Sequence, residues 1–153
     1  MQKTDTWLQP ILDLVATQGE RGGTLLAFPE YRPDLAKAIA HEIGIRFYDF
    51  RAETMAQKGP RAGAMGLDEL NAVLAVLAAE GGALVLNAEA LLSTKSSAER
   101  GAWMQGFLRH DWPGLLLVPL AVYGHEAPIG NKRVLRLEPE NLPAQGLINR
   151  LAN

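Results

Sequence analysis

The sequence predicts a three-layer α/β/α sandwich built on a mostly parallel five-stranded sheet. Three observations predict it. Short apolar runs of strand length alternate with longer segments whose apolar residues recur at helical spacing. The connections between them are short, as β–α–β units with right-handed crossovers require. No internal repeat, low-complexity tract or linker interrupts the 153 residues, a length that fits one domain.

Taken in order, residues 1–22 read as an N-terminal helical extension. Trp7, Ile11, Leu14 and Val15 recur at helical spacing, with Thr4 or Asp5 as N-cap, a bend expected at Pro10, and Gly22-Gly23 as the stop. Thr24–Phe28 is the first strand and Pro29–Arg32 a turn. A helix then opens at Pro33 or Asp34, where proline suits the first turn and the carboxylate complements the helix dipole. It ends at Gly44, before the strand Ile45–Phe50. Residues 51–66 read as an irregular, mobile loop rich in Gly and Ala. Leu67–Glu80 is an amphipathic helix, Gly81-Gly82 its stop, and Ala83–Leu86 the third strand.

Ser96-x-x-Glu99 is a capping box that announces the next helix, carrying Trp103, Met104, Phe107 and Leu108. The fourth strand follows Gly114, and its ladder should end or bulge at Pro119, which lacks a donor. Gly124–Lys132 is a second irregular loop, and Val134–Glu138 alternates as the last strand. A closing helix is expected from Asn141 or Pro143, with Leu147, Ile148 and Leu151 on one side.

Composition removes several classes of function. Without cysteine there is no disulfide scaffold, thiolate nucleophile or Cys-based zinc site. A net charge of −2 gives no support to a general nucleic-acid coat. MQKTDTWLQPILDLV lacks the pattern of a signal peptide and no apolar run reaches membrane length, so a cytoplasmic chain with no membrane partner is expected.

In an open α/β sheet, ligands bind beyond the C-terminal ends of the strands. The loops that qualify are residues 28–34, 87–95 and 122–132. The segment TLLAFPEYRPDLAKAIAHEIGIRFYDF resembles the strand, phosphate loop, helix and second strand of P-loop NTPases, particularly the AAA+ and STAND-like branches. GGALVLNAEALLS resembles the Walker B strand, and GLLLVPLAVYG the strand ending in the sensor-1 residue. The size and single-domain organisation are also similar to the small P-loop-containing proteins encoded with bacterial BREX phage-defence systems.

The chemical motifs depart from that family. A working phosphate loop needs G-x-x-x-x-G-K-[ST], whose glycines, lysine and hydroxyl hold the phosphates and magnesium. Aligned on LAKAIA, Tyr31 replaces the second glycine, Arg32 the lysine and Pro33 the hydroxyl residue. The Walker B position reads Asn87-Ala88-Glu89. Asn87 stands for the metal-binding aspartate, or one residue is lost and Glu89 keeps the catalytic-glutamate place. Either way magnesium loses ligands, and no appreciable ATPase activity is expected.

The candidate nucleotide- or anion-binding residues are therefore Pro29, Glu30, Tyr31, Arg32 and Asn87, with Glu89 as the base if the chain is active at all. For each there is a plainer alternative: a solvated Arg32 on a surface loop, and Glu89 as a loop cap. Lys132, Arg133 and Arg136 form a short basic cluster that could touch a partner or nucleic acid, or simply be solvated. His110 and Asp111 precede the fourth strand while His125 and Glu126 follow it, so they fall at opposite ends of the sheet and no metal site is expected. No serine lies in G-x-S-x-G.

The leading expectation is a non-hydrolysing P-loop-like interaction or regulatory module without a cofactor, docking on a protein partner within a larger bacterial assembly. The family resemblance implies anti-phage defence, ATPase or DNA-processing partners, and self-association. The alternatives are a nucleotide switch or weak ATPase taking ATP or ADP with magnesium on Arg32 and Glu89, and a nucleic-acid-binding accessory protein.

Overall fold

Six consecutive buried residues, Gly22–Ala27, form the central strand β1 of the computed structural model, which describes residues 6–19 and 21–144. The other strands are β2 (Arg46–Asp49), β3 (Ala83–Leu86), β4 (Leu115–Leu120) and β5 (Val134–Arg136). All pairings are parallel, in the order β2-β3-β4-β1-β5. The helices are α1 (Gln9–Gln18), α2 (Pro33–Ile43), α3 (Ala56–Lys58), α4 (Leu67–Ala79), α5 (Glu89–Leu92) and α6 (Ser97–Arg109).

Handedness explains the layers. From β1 the chain steps over two strands to β2, then returns through β3 to β4. Right-handed crossovers in opposite directions put their helices on opposite faces. Accordingly α2 packs on one face with α1, around Ile11, Leu26, Leu35, Ile39 and Leu117. Helices α4 and α6 cover the other, around Leu25, Leu74, Val85, Phe107 and Val118. Both faces of the central strands are thus buried, which is why their sequences read as continuous apolar runs rather than alternations.

Several expectations need correction. The first two strands are parallel but are not neighbours, because β3 and β4 lie between them. Gly22-Gly23 does not merely stop α1; it opens β1, and a Cβ on Gly23 would come within 2.7 Å of the Phe107 ring. Pro10 falls in the first turn of α1, where it starts the helix rather than bending it. The N-cap position is Leu8, with no side-chain cap; Thr4 and Asp5 lie outside the described residues.

Pro119 sits inside β4, paired with Leu26. Leu120 O accepts from Phe28 N on the β1 side, so the nitrogen of Pro119 faces the other way. There the β3 ladder ends at Leu84–Leu117 although β3 runs on to Leu86, so on that side the ladder stops at Pro119 as expected, while the β1 pairing continues to Leu120. Residues 51–66 are not irregular but a chain of single turns: a π-helical turn Arg51–Met55, then α3, then a 3-10 segment Gly59–Ala64. The last strand is shorter than its alternation, Val134–Arg136, and a 3-10 turn, Pro139–Asn141, follows. Leu147, Ile148 and Leu151 of the expected closing helix lie outside the described residues. The Ser96–Glu99 capping box forms as read, Glu99 N donating to Ser96 Oγ at 3.1 Å and Ser96 N to Glu99 Oε1 at 3.3 Å.

Candidate functional site

Because β4 is inserted between β1 and β3, the C-terminal ends of those three strands are adjacent. That brings together the three segments that sequence reasoning singled out separately. Phe28, Glu30, Tyr31 and Arg32 after β1, Asn87 and Glu89 after β3, and Ala121 after β4 line one cleft. The point where crossovers diverge in direction is also where ligands bind in such sheets.

The loop between β1 and α2 is short, residues 28–32, and Pro33 opens the helix directly. Arg32, at the N-cap position, is 6% exposed. Its Nε donates to Asp34 Oδ1 at 3.0 Å and its Nη2 to Asp34 Oδ2 at 2.9 Å, a two-pronged bond; Glu30 Oε1 lies 3.6 Å from Nη1. This pairing with Asp34 first, and the nearby charge of Glu30, raise the guanidinium above the ordinary arginine value despite burial. Asp34 occupies the first turn of α2, where the helix dipole favours an anion. The arginine that would meet a phosphate at this helix start is thus already engaged by the chain's own carboxylate.

Across the cleft Glu89 opens α5 and turns its carboxylate back onto the end of β4. Oε1 accepts from Ala121 N at 2.7 Å, and Oε2 from Val122 N at 2.7 Å and Tyr123 N at 2.6 Å. Three successive backbone donors converging on one anion form a nest, here filled from within. Both oxygens of the carboxylate are thus committed to the backbone of β4's end rather than turned toward the cleft's open space.

Asn87 has φ +67°, the one described non-glycine residue in the left-handed region, where asparagine is tolerated better than most. Its Nδ2 donates to Asp49 Oδ1 at 2.9 Å, which ties the end of β3 to the end of β2. Asp49 also accepts from Ala52 N, and Glu53 accepts from Asp49 N.

The loop after β4 is fastened from two further sides. Arg100 grips Glu126 in parallel bonds of 2.8 and 2.9 Å, and its guanidinium carbon lies 4.1 Å from the centre of the Tyr123 ring. The bonds from Arg100 hold the Glu126 carboxyl below the ordinary glutamate value. Arg136 donates to Gly124 O and Ala127 O, both at 2.8 Å. The space left in the cleft measures ≈ 10 Å³, about what one water needs.

Sequence reasoning thus named Arg32, Asn87 and Glu89, and the fold brings them together. It missed the parts played by Asp49 and Arg100, and it read Asp34 only as complementing the helix dipole and Glu126 only as a metal ligand to be excluded. Pro29 and Tyr31 are exposed at the cleft rim, and Glu30 carries an exposed carboxylate. Lys132, Arg133 and Arg136 do not form one cluster. Arg136 is occupied by carbonyls at the C-terminal end of β5, whereas Arg133 Nη1 reaches back to Arg21 O. His110 and His125 fall at opposite ends of β4, where Asp111 pairs with Arg21 and Glu126 with Arg100. Among the described residues, no three His, Asp or Glu side chains are placed to hold a metal ion. No described helix is long and apolar enough to cross a membrane.

Compared with known protein families and with curated proteins, the chain matches no family model and no curated sequence.

Proposed function

We propose that the chain is a non-hydrolysing, P-loop-like interaction module in which the nucleotide cleft is replaced by internal contacts. One observation carries this reading. The two groups that could serve phosphate and water, Arg32 and Glu89, are bound instead to Asp34 and to three backbone N–H groups, and ≈ 10 Å³ remains between them. A triphosphate entering here would have to break a two-pronged ion pair and a filled nest together. The residues that would supply magnesium ligands are Pro33, which has no hydroxyl, and Asn87, whose amide is engaged with Asp49.

The rim supports docking by a protein. Tyr31 is 55% and Val122 62% exposed, one on each side of the plugged cleft. Exposed apolar side chains around polar groups that are already satisfied favour a protein partner over a charged ligand. In this reading the partner belongs to a larger bacterial assembly, and the module contributes binding or regulation rather than turnover.

The test is a calorimetric titration of Mg-ATP and Mg-ADP into the purified chain, with thermal melting in the same solutions. No saturable heat and an unchanged melting temperature are expected. Saturable micromolar binding, lost in Arg32→Gln, would overturn the reading and restore the nucleotide switch.

A further inference from the structure

We propose that a second groove, beside the plugged cleft, binds a free α-amino acid with an apolar side chain. The groove lies beyond the C-terminal ends of β4, β1 and β5 and measures ≈ 370 Å³, within the size range of small-molecule sites. The inference goes beyond the docking reading and does not rest on it, because Arg32 and Glu89, which close the cleft, are not among the groove's lining residues.

In the cleft each charge has found a partner within the chain; in this groove two have not. Arg136 and Glu138 both line it. The Arg136 guanidinium donates to Gly124 O and Ala127 O, both at 2.8 Å. Those bonds fix its position and leave it further N–H groups to give. Among the described residues, no carboxylate pairs with Arg136 and no cation pairs with Glu138.

The backbone sets the spacing of the two charges. Leu137 N donates to Ala27 O at 2.9 Å, and Glu138 is extended, at φ −86° and ψ 138°. The alternation of β5 therefore runs on past its last ladder residue. Residues 136 and 138 then leave the same face of the chain, about 6.6 Å apart along it. A simple anion drawn to Arg136 would be repelled by Glu138, and a simple cation drawn to Glu138 by Arg136. A ligand carrying both charges is opposed by neither. An α-amino acid holds its carboxylate and its ammonium on one carbon, so charge-assisted bonds of about 2.8 Å reach out to each side.

The remaining substituent meets apolar surface. Phe28 and Leu137 are buried lining residues of the groove, and Val122, 62% exposed, stands at its rim. An aliphatic side chain lying between them would take Val122 out of water. A peptide carries its ammonium and its carboxylate on different residues. The two charges and the apolar wall together therefore select the free amino acid.

The experiment is titration of the full chain with L-leucine, read by calorimetry and by the backbone amide shifts of residues 121–125 and 136–138. Saturable binding is expected, with the shifts centred on those amides. Leucinamide and N-acetyl-leucine each lack one charge and should bind about tenfold more weakly or worse. Three contacts around one carbon distinguish its two hands, so D-leucine should bind several-fold differently. Glu138 is exposed and its side chain makes no bond within the chain, so Glu138→Gln should keep the melting temperature and lose leucine binding. The absence of saturable binding at tens of millimolar leucine would overturn the proposal. So would equal binding of N-acetyl-leucine, which would show that the groove reads a lone carboxylate, or leucine binding that survives Glu138→Gln. None of these outcomes depends on whether Mg-ATP binds, so this inference and the reading of the cleft fail separately.

Discussion

Replacing Glu89 by glutamine changes one oxygen to an amide nitrogen and removes the charge, with little change in shape. In the wild type one carboxylate oxygen takes the Ala121 N–H and the other takes those of Val122 and Tyr123, at 2.6–2.7 Å. Glutamine can satisfy one side only. With its carbonyl on Val122 and Tyr123, its NH2 faces the Ala121 N–H, donor against donor. Each hydrogen bond to a charged group contributes ~1.5–3 kcal/mol net. Val122 is exposed, so its N–H can turn to water, and roughly two such bonds decide the outcome. The expected loss is about 3 kcal/mol, or about 6–12 °C in melting temperature for a chain of this size.

The assay is thermal and urea unfolding by circular dichroism, with hydrogen exchange at the amides of residues 121–123. Glu89→Gln should melt lower, and those amides should exchange faster than their neighbours in β4. The substitution also separates two roles. At a catalytic base, the same change removes turnover and leaves the fold intact; at a filled nest it weakens the fold. A variant that melts within about 1 °C of the wild type, with unchanged protection at 121–123, would refute this reasoning.

Two further outcomes follow from the same geometry. Gly82 has φ +96°, and a Cβ there would lie 2.5 Å from Leu115 O, whereas Gly19, at φ +70°, faces open space. Gly82→Ala should therefore cost more than about 3 kcal/mol, combining backbone strain with overpacking, and Gly19→Ala only about 1, measured as urea midpoints. The Glu126 carboxyl is held below its ordinary value chiefly by hydrogen bonds from Arg100. Its contribution is therefore full above the unfolded glutamate value, about 4.3, and is lost as pH falls through the lower folded value. Glu126→Gln should be less stable than the wild type at pH 7, and the two stability curves should converge in acid; parallel curves would exclude the linkage.

The elements were legible because their signals are local. The Ser96–Glu99 box, the glycine stops and the apolar runs each act within a few residues, and the helices and strands form where those signals stand. Topology was less legible. Nothing in the β1–α2–β2 stretch reveals that two later strands will occupy the gap, because pairing depends on which apolar faces remain uncovered after the whole chain has folded. Pro119 was legible by half for a related reason: the missing donor ends the ladder on the β3 side and leaves the β1 side intact, and which side the nitrogen faces is a property of the sheet. Residues 51–66 read as a loop because single helical turns have too few residues to show a period.

The cleft shows the same limit at the level of chemistry. Set beside the phosphate-loop pattern that it resembles, the sequence shows only what it does not share, a lysine, a hydroxyl and an aspartate, and from this an empty or weakened site would follow. What occupies those positions is found only in space. Asp34, two residues beyond Arg32, supplies an anion at the helix start, and Glu89, 32 residues before Ala121, supplies another to the end of β4. A helix N-terminus and a run of backbone N–H groups attract anions whatever the source. Backbone donors left bare would be costly where they are half-buried. At the end of β4 the Glu89 carboxylate satisfies them without a ligand, and the strand-end face becomes a fixed surface on which Tyr31 and Val122 are exposed beside the carboxylate of Glu30.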